Sequence, residues 1–316
     1  MKRFLLCMLL AGLTGLAGRV AAEDFDYRLA AQPVAKDVYV FVGRTEDFTT
    51  GNGGNIVNTA FIVAPQGVIV IDSGPSLRYG QQMRQAIAQV SDKPVALVIN
   101  THHHPDHFLG NQAFTDVPIG ALAETRQGIA SDGNAFAENL YRMSGDWMKG
   151  TEVQAPNRTL SAGPLAVAGR SLRLVALDGH TGADLVVIDE ASGVLFAGDL
   201  VFNGRAPTTP HADVGHWLGA LDRLEALTRE GGFRVLVPGH GALTRDAAPI
   251  RQTRTWLNWL TTTLRDSAVA GLDMNDVLAR PLPPEYAAMP MAAAEYRRSV
   301  GHLFPAIEQK ALESGR

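Results

Sequence analysis

Cysteine is almost missing from this chain: its 316 residues hold one, Cys7. If Cys7 is removed with a leader, no disulfide and no thiolate metal ligand can form. Any metal site would then be built from His, Asp and Glu. Long apolar runs are missing too. Beyond the first 22 residues none reaches the roughly 20 residues a helical membrane span needs. Basic charge is not in excess, with 28 Lys and Arg against 32 Asp and Glu. There is no basic stripe and no RNP-like run, which argues against a nucleic-acid partner. Internal repeats and low-complexity tracts are also absent, and 46% hydrophobic residues indicate a globular chain.

What is present begins with Met1–Ala22. Lys2 and Arg3 precede the nearly unbroken apolar stretch Phe4–Ala17, and Val20-Ala21-Ala22 follows, the pattern of a cleavable export signal. Its core is short for a membrane span, although an uncleaved anchor stays open. Lys2-Arg3 is not a twin-arginine pair, so the general secretory route is expected, with the periplasm or the medium as the address. Cys7 lies too early for a lipoprotein cleavage site and would leave with the leader. Residues 23–316 then carry 25 basic and 32 acidic side chains, a net charge of −7.

The chain is organised around Thr101-His-His-His-Pro-Asp-His107, directly after the apolar run Val95–Ile99. That run has the length and β-branched content of a buried parallel strand. Open α/β sheets place their ligand crevices at such strand ends. His102, His104, Asp106 and His107 form H-x-H-x-D-H on what reads as an extended loop, and imidazole and carboxylate suit zinc. So short a loop does not give four ligands to one ion. The spacing suits two ions, with His102 and His104 on one and Asp106 and His107 on the other.

Alternation predicts a strand over Val38–Arg44. The Glu46–Asn58 segment, with five consecutive Gly or Asn residues, marks a mobile loop. A hairpin follows, Ala60–Val63 and Val68–Ile71 around Pro65-Gln66-Gly67, and ends at Asp72. Ser76–Val90 has helical spacing. A short helix over Asn111–Phe114 and a strand over Pro118–Ala121 are expected behind the histidine loop. Ala123–Lys149 reads as helical with a break near Ser131–Asn134. Its Phe136, Tyr141, Met143, Trp147 and Met148 serve either a pocket wall or the core. Strands are then predicted at Leu165–Val167, Leu172–Leu177, Leu185–Ile188, Val194–Phe196 and Phe233–Val237. Ala212–Glu230, Arg251–Leu264, Met274–Leu278 and Met291–Leu312 read as amphipathic helices.

His180, Asp199 and His240 each follow an apolar strand beside glycine. Together they complete a ligand count. His102, His104 and His180 can make a three-histidine site, Asp106, His107 and His240 a second, and Asp199 can bridge them. Two ions roughly 3.5–4 Å apart acidify a shared water and clamp the attacked oxygen. His103, His211, His216 and His302 read as ordinary packed or surface histidines. Asn203 and Arg205 either contact a substrate anion or sit in an exposed loop.

Asp72-Ser-Gly, His102-x-His104-x-Asp106-His107, His180 within Gly-His-Thr-Gly, Gly198-Asp199 and Gly239-His240-Gly resemble, in order, the five motifs of the metallo-β-lactamase superfamily. The likeness runs from about Val38 to His240. It implies an α+β fold, a four-layer αβ/βα sandwich, with residues 23–248 as the catalytic domain and 249–316 as a helical extension packed on it. It also implies that Asp72 steadies the metal loop without ligating. Aspartate at 199 is similar to the glyoxalase II, lactonase and phosphodiesterase-like branches; the best-known zinc β-lactamases place a cysteine, or a non-ligand, near that point. The leader, the Thr45–Thr59 segment and Asn100–Asn111 further resemble exported SoxH-like enzymes, the quinoprotein relay system zinc metallohydrolases.

The implied activity is hydrolysis of an ester, thioester or lactone by a hydroxide bridging two zinc ions, with Asp106 and Asp199 orienting it and Asp106 taking up its proton. Iron or manganese would also suit these ligands. Alternatives are β-lactam hydrolysis, a mononuclear iron sulfur dioxygenase on the same fold, and a non-enzymatic role beside a periplasmic dehydrogenase. The expected partner is a small-molecule substrate.

Overall fold

A computed structural model describes residues 25–314 of the chain. The leader predicted over residues 1–22 lies outside the described residues. In the first half the elements are β1 Gln32–Ala35, β2 Val38–Phe41, β3 Thr59–Ala64, β4 Gly67–Ile71, α1 Leu77–Val90, β5 Val95–Ile99, α2 Pro105–Phe108, β6 Ile119–Ala121, α3 Ala123–Ser144 and β7 Arg158–Thr159. In the second they are β8 Gly163–Val167, β9 Arg170–Leu177, β10 Asp184–Asp189, β11 Val194–Asn203, α4 Val214–Arg229, β12 Val235–Gly241, α5 Ala248–Val269, α6 Met274–Ala279, α7 Pro284–Ala287 and α8 Ala292–Ser314.

These strands form two mixed sheets. The first has the order β1-β2-β3-β4-β5-β6-β7 and the second β12-β11-β10-β9-β8. The β2-β3-β4 part is an antiparallel meander, whereas β4, β5 and β6 run parallel through the α1 and α2–β6 crossovers. Period-two alternation sends one set of side chains between the sheets and the other set outward. Ile62, Ile69, Leu97 and Ile99 thus meet Leu185, Val187 and Phe196 in the central core. Their neighbours Phe61, Val70 and Val98 face outward onto Tyr79, Met83 and Ile87 of α1. On the far side Val186, Leu195 and Leu236 pack on Trp217 and Leu221 of α4, Leu257 of α5 and Phe304 of α8. Helices, sheet, sheet, helices: the expected four-layer sandwich is the observed fold.

Strands covered on both faces read as unbroken apolar runs, which is why β4 is buried at all five positions. Helix α1 starts where Ser76 accepts a hydrogen bond from the Tyr79 N–H, satisfying an otherwise orphaned donor. The loop predicted to be mobile is tied together by Asn52. Its Oδ1 accepts from the backbone N–H of Thr49 (3.1 Å) and Gly54 (2.9 Å), and its Nδ2 donates to the Asp47 carbonyl (2.8 Å).

Three expectations are corrected. The break near Ser131–Asn134 is absent, and α3 runs unbroken over Ala123–Ser144. A Cβ at position 133 would approach Val153 Cγ1 to 2.8 Å, so Gly133 serves helix packing, at a propensity cost of about 1 kcal/mol. The strand expected to stop at Phe196 continues to Asn203, because Gly198, at φ 53°, takes up a register irregularity against β12. Asp199 therefore lies inside β11, and His240 likewise lies inside β12. Finally, the histidine loop is not extended throughout, since Pro105 opens the single turn α2, which carries Asp106 and His107. Among the described residues no helix is long and apolar enough to cross a membrane.

Candidate metal centre

The strand ends of both sheets meet at one edge, and Asp72 is the first residue to fix geometry there. It follows β4 in a left-handed conformation, φ 56°. Its carboxylate accepts hydrogen bonds from Thr101 N, Thr101 Oγ1 and His107 Nδ1, each 2.8 Å. With the proton on Nδ1, the lone pair of His107 resides on Nε2. Thr101 Oγ1 has given its own proton to Asp72, so it accepts from His102 Nδ1 at 3.1 Å. That leaves Nε2 of His102 as its free lone pair. One carboxylate that holds no place in either donor cluster thereby sets the tautomers of two histidines. Asp72→Ala is expected to weaken metal affinity by about 10–100-fold, measured by chelator competition. Wild-type affinity in this variant would mean that the tautomers are set elsewhere.

Two donor clusters result. His102, His104, His180 and Asp199 form one, and Asp106, His107 and His240 the other, with the donor atoms of each within 4.8 Å of one another. All seven side chains are buried. In the first cluster His180 Nε2 lies 2.9 Å from His104 Nδ1 and 3.4 Å from Asp199 Oδ2. In the second, His240 donates from Nδ1 to the Ile56 carbonyl at 2.7 Å. This aims its Nε2 at Asp199 Oδ2 (3.1 Å) and Asp106 Oδ2 (3.4 Å). Asp199 stands between the clusters, with Oδ1 3.1 Å from His107 Nε2. Strand β12 passes so close behind it that a Cβ at Gly239 would come within 1.9 Å of Asp199 Oδ1.

Protonation matches a cation site. Burial first, then the repulsion that charge on the neighbouring histidines would add, holds His102 and His104 well below the usual histidine range. Burial pushes His180 down to about 3. These rings are neutral, the form that ligates. Burial would raise Asp199, but His240 and His107 outweigh it and hold the carboxyl well below its ordinary value. Burial likewise opposes charge on His107, yet Asp199, Asp72 and Asp106 raise it well above an ordinary histidine. The reason is geometric: the Nε2 lone pair of His107 faces Asp199 Oδ1, and a proton or a cation must lie between them. His102 Nε2, His107 Nε2 and Asp199 Oδ1 are buried with no hydrogen-bond partner. Orphaned lone pairs of this kind are rare in folded interiors and fit a metal. The nitrogen and oxygen donors suit zinc, iron or manganese.

The clusters floor a cavity of about 420 Å³. Of the aromatic and methionine residues weighed for its wall, Phe136 and Met143 line it. Met148 is in the core, Trp147 packs on Phe25 and Tyr27, and Tyr141 is exposed. Asn203 turns away and donates to the Ala242 carbonyl at 2.6 Å, whereas Arg205 is buried and lines the cavity. His211 and His302, read from sequence as ordinary histidines, also line it. His211 Nδ1 sits 2.8 Å from His104 Nε2, within hydrogen-bond distance. With His103 the pair makes a further close histidine group. Nothing in the spacing around Pro210-His211 signals this contact across 107 positions.

Residues 52–257 match the family model of the metallo-beta-lactamase superfamily. Curated relatives include a linear primary-alkylsulfatase of Pseudomonas sp., 24% identical over 307 residues, covering 79% of this chain and 55% of that protein. The chain thus spans little more than half the length of this relative. The acyl-coenzyme A thioesterase MBLAC2 of Homo sapiens is 27% identical over 206 residues, 59% of this chain and 74% of its own. Among solved structures, the metallo-beta-lactamase from Pontibacter korlensis superposes with a TM-score of 0.59 at 22% identity, over 73% of this chain and 99% of that one. That likeness is one of fold. The chain belongs to the metallo-beta-lactamase superfamily.

Proposed function

We propose that the chain is a two-metal hydrolase, zinc-loaded, that cleaves an ester, thioester or lactone. The observation that carries this reading is the pair of buried donor clusters on the floor of one cavity, with Asp199 of the first lying 3.1 Å from His107 and His240 of the second. His102, His104 and His180 would hold one ion, Asp106, His107 and His240 the other, and Asp199 both. Two divalent ions held there would supply Lewis acidity to the attacked oxygen and lower the pKa of the attacking water.

The protein's own groups do the rest. Asp199 fixes the spacing of the clusters and, backed by Gly239, cannot swing away. Asp106 lines the cavity and takes the attacking water's proton on a carboxylate oxygen, returning it to the leaving group. Phe48, Phe136 and Met143 supply an apolar wall for the acyl part and limit the access of bulk water. Thioester cleavage is supported by the likeness to the named thioesterase, and the named alkylsulfatase adds sulfate esters to the substrates worth trying. A mononuclear reading leaves Asp106, His107 and His240, with the orphaned Nε2 of His107, without a purpose.

The test is elemental mass spectrometry of the purified protein alongside turnover of short and long acyl thioesters, aryl esters, lactones, β-lactams and alkyl sulfates. About two zinc per chain with thioester or ester turnover is expected. One iron per chain with oxygen uptake on a persulfide and no hydrolysis would overturn the reading.

A further inference from the structure

The inner three-histidine cluster sets a standard for spacing. The ring centres of His102, His104 and His180 stand 4.7, 4.8 and 5.0 Å apart. Three imidazoles on one tetrahedral zinc, with Zn–N of about 2.0–2.1 Å, put their ring centres roughly 5 Å apart. A second triad nearly repeats that spacing. His103, His104 and His211 have ring centres 5.1, 5.2 and 5.3 Å apart, and each offers a nitrogen within 4.8 Å of the others. His104 belongs to both triads: its Nδ1 faces His180 Nε2 at 2.9 Å and its Nε2 faces His211 Nδ1 at 2.8 Å. A hydrogen bond between His104 and His211 needs no third ring, yet His103 stands nearly equidistant from both.

The outer rings are held in place. His211 follows Pro210 in a turn closed by the Ala212 N–H on the Thr209 carbonyl at 3.1 Å, and the Thr209 hydroxyl ties that turn to Ser299 of α8 at 2.8 Å. His103 lies against α3 at Gly128, where a Cβ would come within 3.0 Å of its Cγ. Phe136 flanks all three rings at 5.8–6.3 Å between centres, an apolar wall beside the donors. Asp132, also on α3, is an acid whose charge favours a cation at both His103 and His211. Unlike the inner donors, His211 is exposed, so the outer triad opens to solvent.

We propose that His103, His104 and His211 form a third zinc site at the rim of the cavity, filled when free zinc is in excess, with the His104 ring bridging it to an inner ion. The inner ion is that of the hydrolase reading above. Zinc bonds one nitrogen of each ring and displaces to solvent the one proton held between His104 Nε2 and His211 Nδ1. No electron changes hands. His104 and His211 both line the cavity, so an ion between them narrows its entrance, and excess zinc inhibits.

The experiment titrates zinc into the protein with its inner sites filled, for wild type, His211→Ala and His103→Ala, and counts bound zinc after equilibrium dialysis. Wild type is expected to pass from about two to about three zinc per chain. The third is expected to bind at least about 100-fold more weakly in either variant, since losing an outer partner alone costs about 10–100-fold. Calorimetry in two buffers of different ionisation enthalpy is expected to show about one proton released with that zinc. Melting profiles and retained inner zinc report folding, and His211→Gln and His103→Gln replace an alanine variant that does not fold. Wild type that stays at two zinc overturns the site, as does a third zinc bound equally by the variants. Turnover is a separate readout: the third zinc is expected to slow wild type tenfold or more, and each variant less at the same free zinc, relative to its own rate at two zinc. A third zinc that binds at the triad without slowing turnover overturns the blocking role. A single inner zinc would sink the two-metal reading, whereas a further zinc lost in His211→Ala would still establish the outer site.

Discussion

Asp199→Ala is expected to lose most of its bound metal and to hydrolyse substrates about 10²–10³-fold or more slowly than wild type. The magnitude follows from position. The carboxylate lies 3.1 Å from both His107 Nε2 and His240 Nε2 and 3.4 Å from His180 Nε2, so it reaches donors of both clusters. Removing it takes away the anion that offsets two cations and leaves buried imidazoles facing a void. Elemental mass spectrometry and turnover on the same preparation check the result, and the melting profile shows whether the variant is folded. A folded variant with its full metal complement and wild-type turnover would refute the shared role of Asp199.

The second large effect is on stability. Stripping the metal with a chelator is expected to lower Tm by roughly 10 °C or more. An ion present at a thousand times its Kd stabilises by about 4 kcal/mol, and a domain of this size shifts by roughly 2–4 °C per kcal/mol. Physically, chelation returns three orphaned buried atoms, His102 Nε2, His107 Nε2 and Asp199 Oδ1, to a state without partners. A proton partly compensates at His107, where three carboxylates favour it. Calorimetry with and without the chelator, followed by zinc add-back, measures the effect. An unchanged Tm with metal demonstrably removed would mean that the site is held rigid by its outer hydrogen bonds alone.

The donor residues were legible because each stands next to a signal that sequence carries. His102, His104, Asp106 and His107 are nearly contiguous after a strand-like run. His180, Asp199 and His240 sit beside glycines at the ends of apolar stretches. Asp72 ends a hairpin. What could not be read depends on distant packing. His211 meets His104 across 107 positions, and Arg205 meets Glu295 across 90. Glu295 itself reads as one polar residue on an amphipathic helix. The unbroken course of α3 was hidden because Gly133 looks like a helix breaker until Val153 is placed against it. The edge strands β1 and β7 are short and largely exposed, and β1 carries Pro33, so neither shows an alternation strong enough to detect. Strand ends at β11 and β12 were set too early because Gly198 and Pro238-Gly239 read as stops, although both continue the ladder.

The donors come from two sheets. His102 to His107 follow the fifth strand of the first, while His180, Asp199 and His240 belong to the second. Neither half of the chain holds a complete ligand set for the shared site, and the two sheets meet through contacts between residues far apart in sequence. If the two-metal reading holds, only a chain whose halves have docked in register would retain its ions, and metal capture would act as a check on folding. The same division makes the centre a natural split reporter. Two separately expressed halves would be silent alone and would regain tight zinc binding only on reassembly.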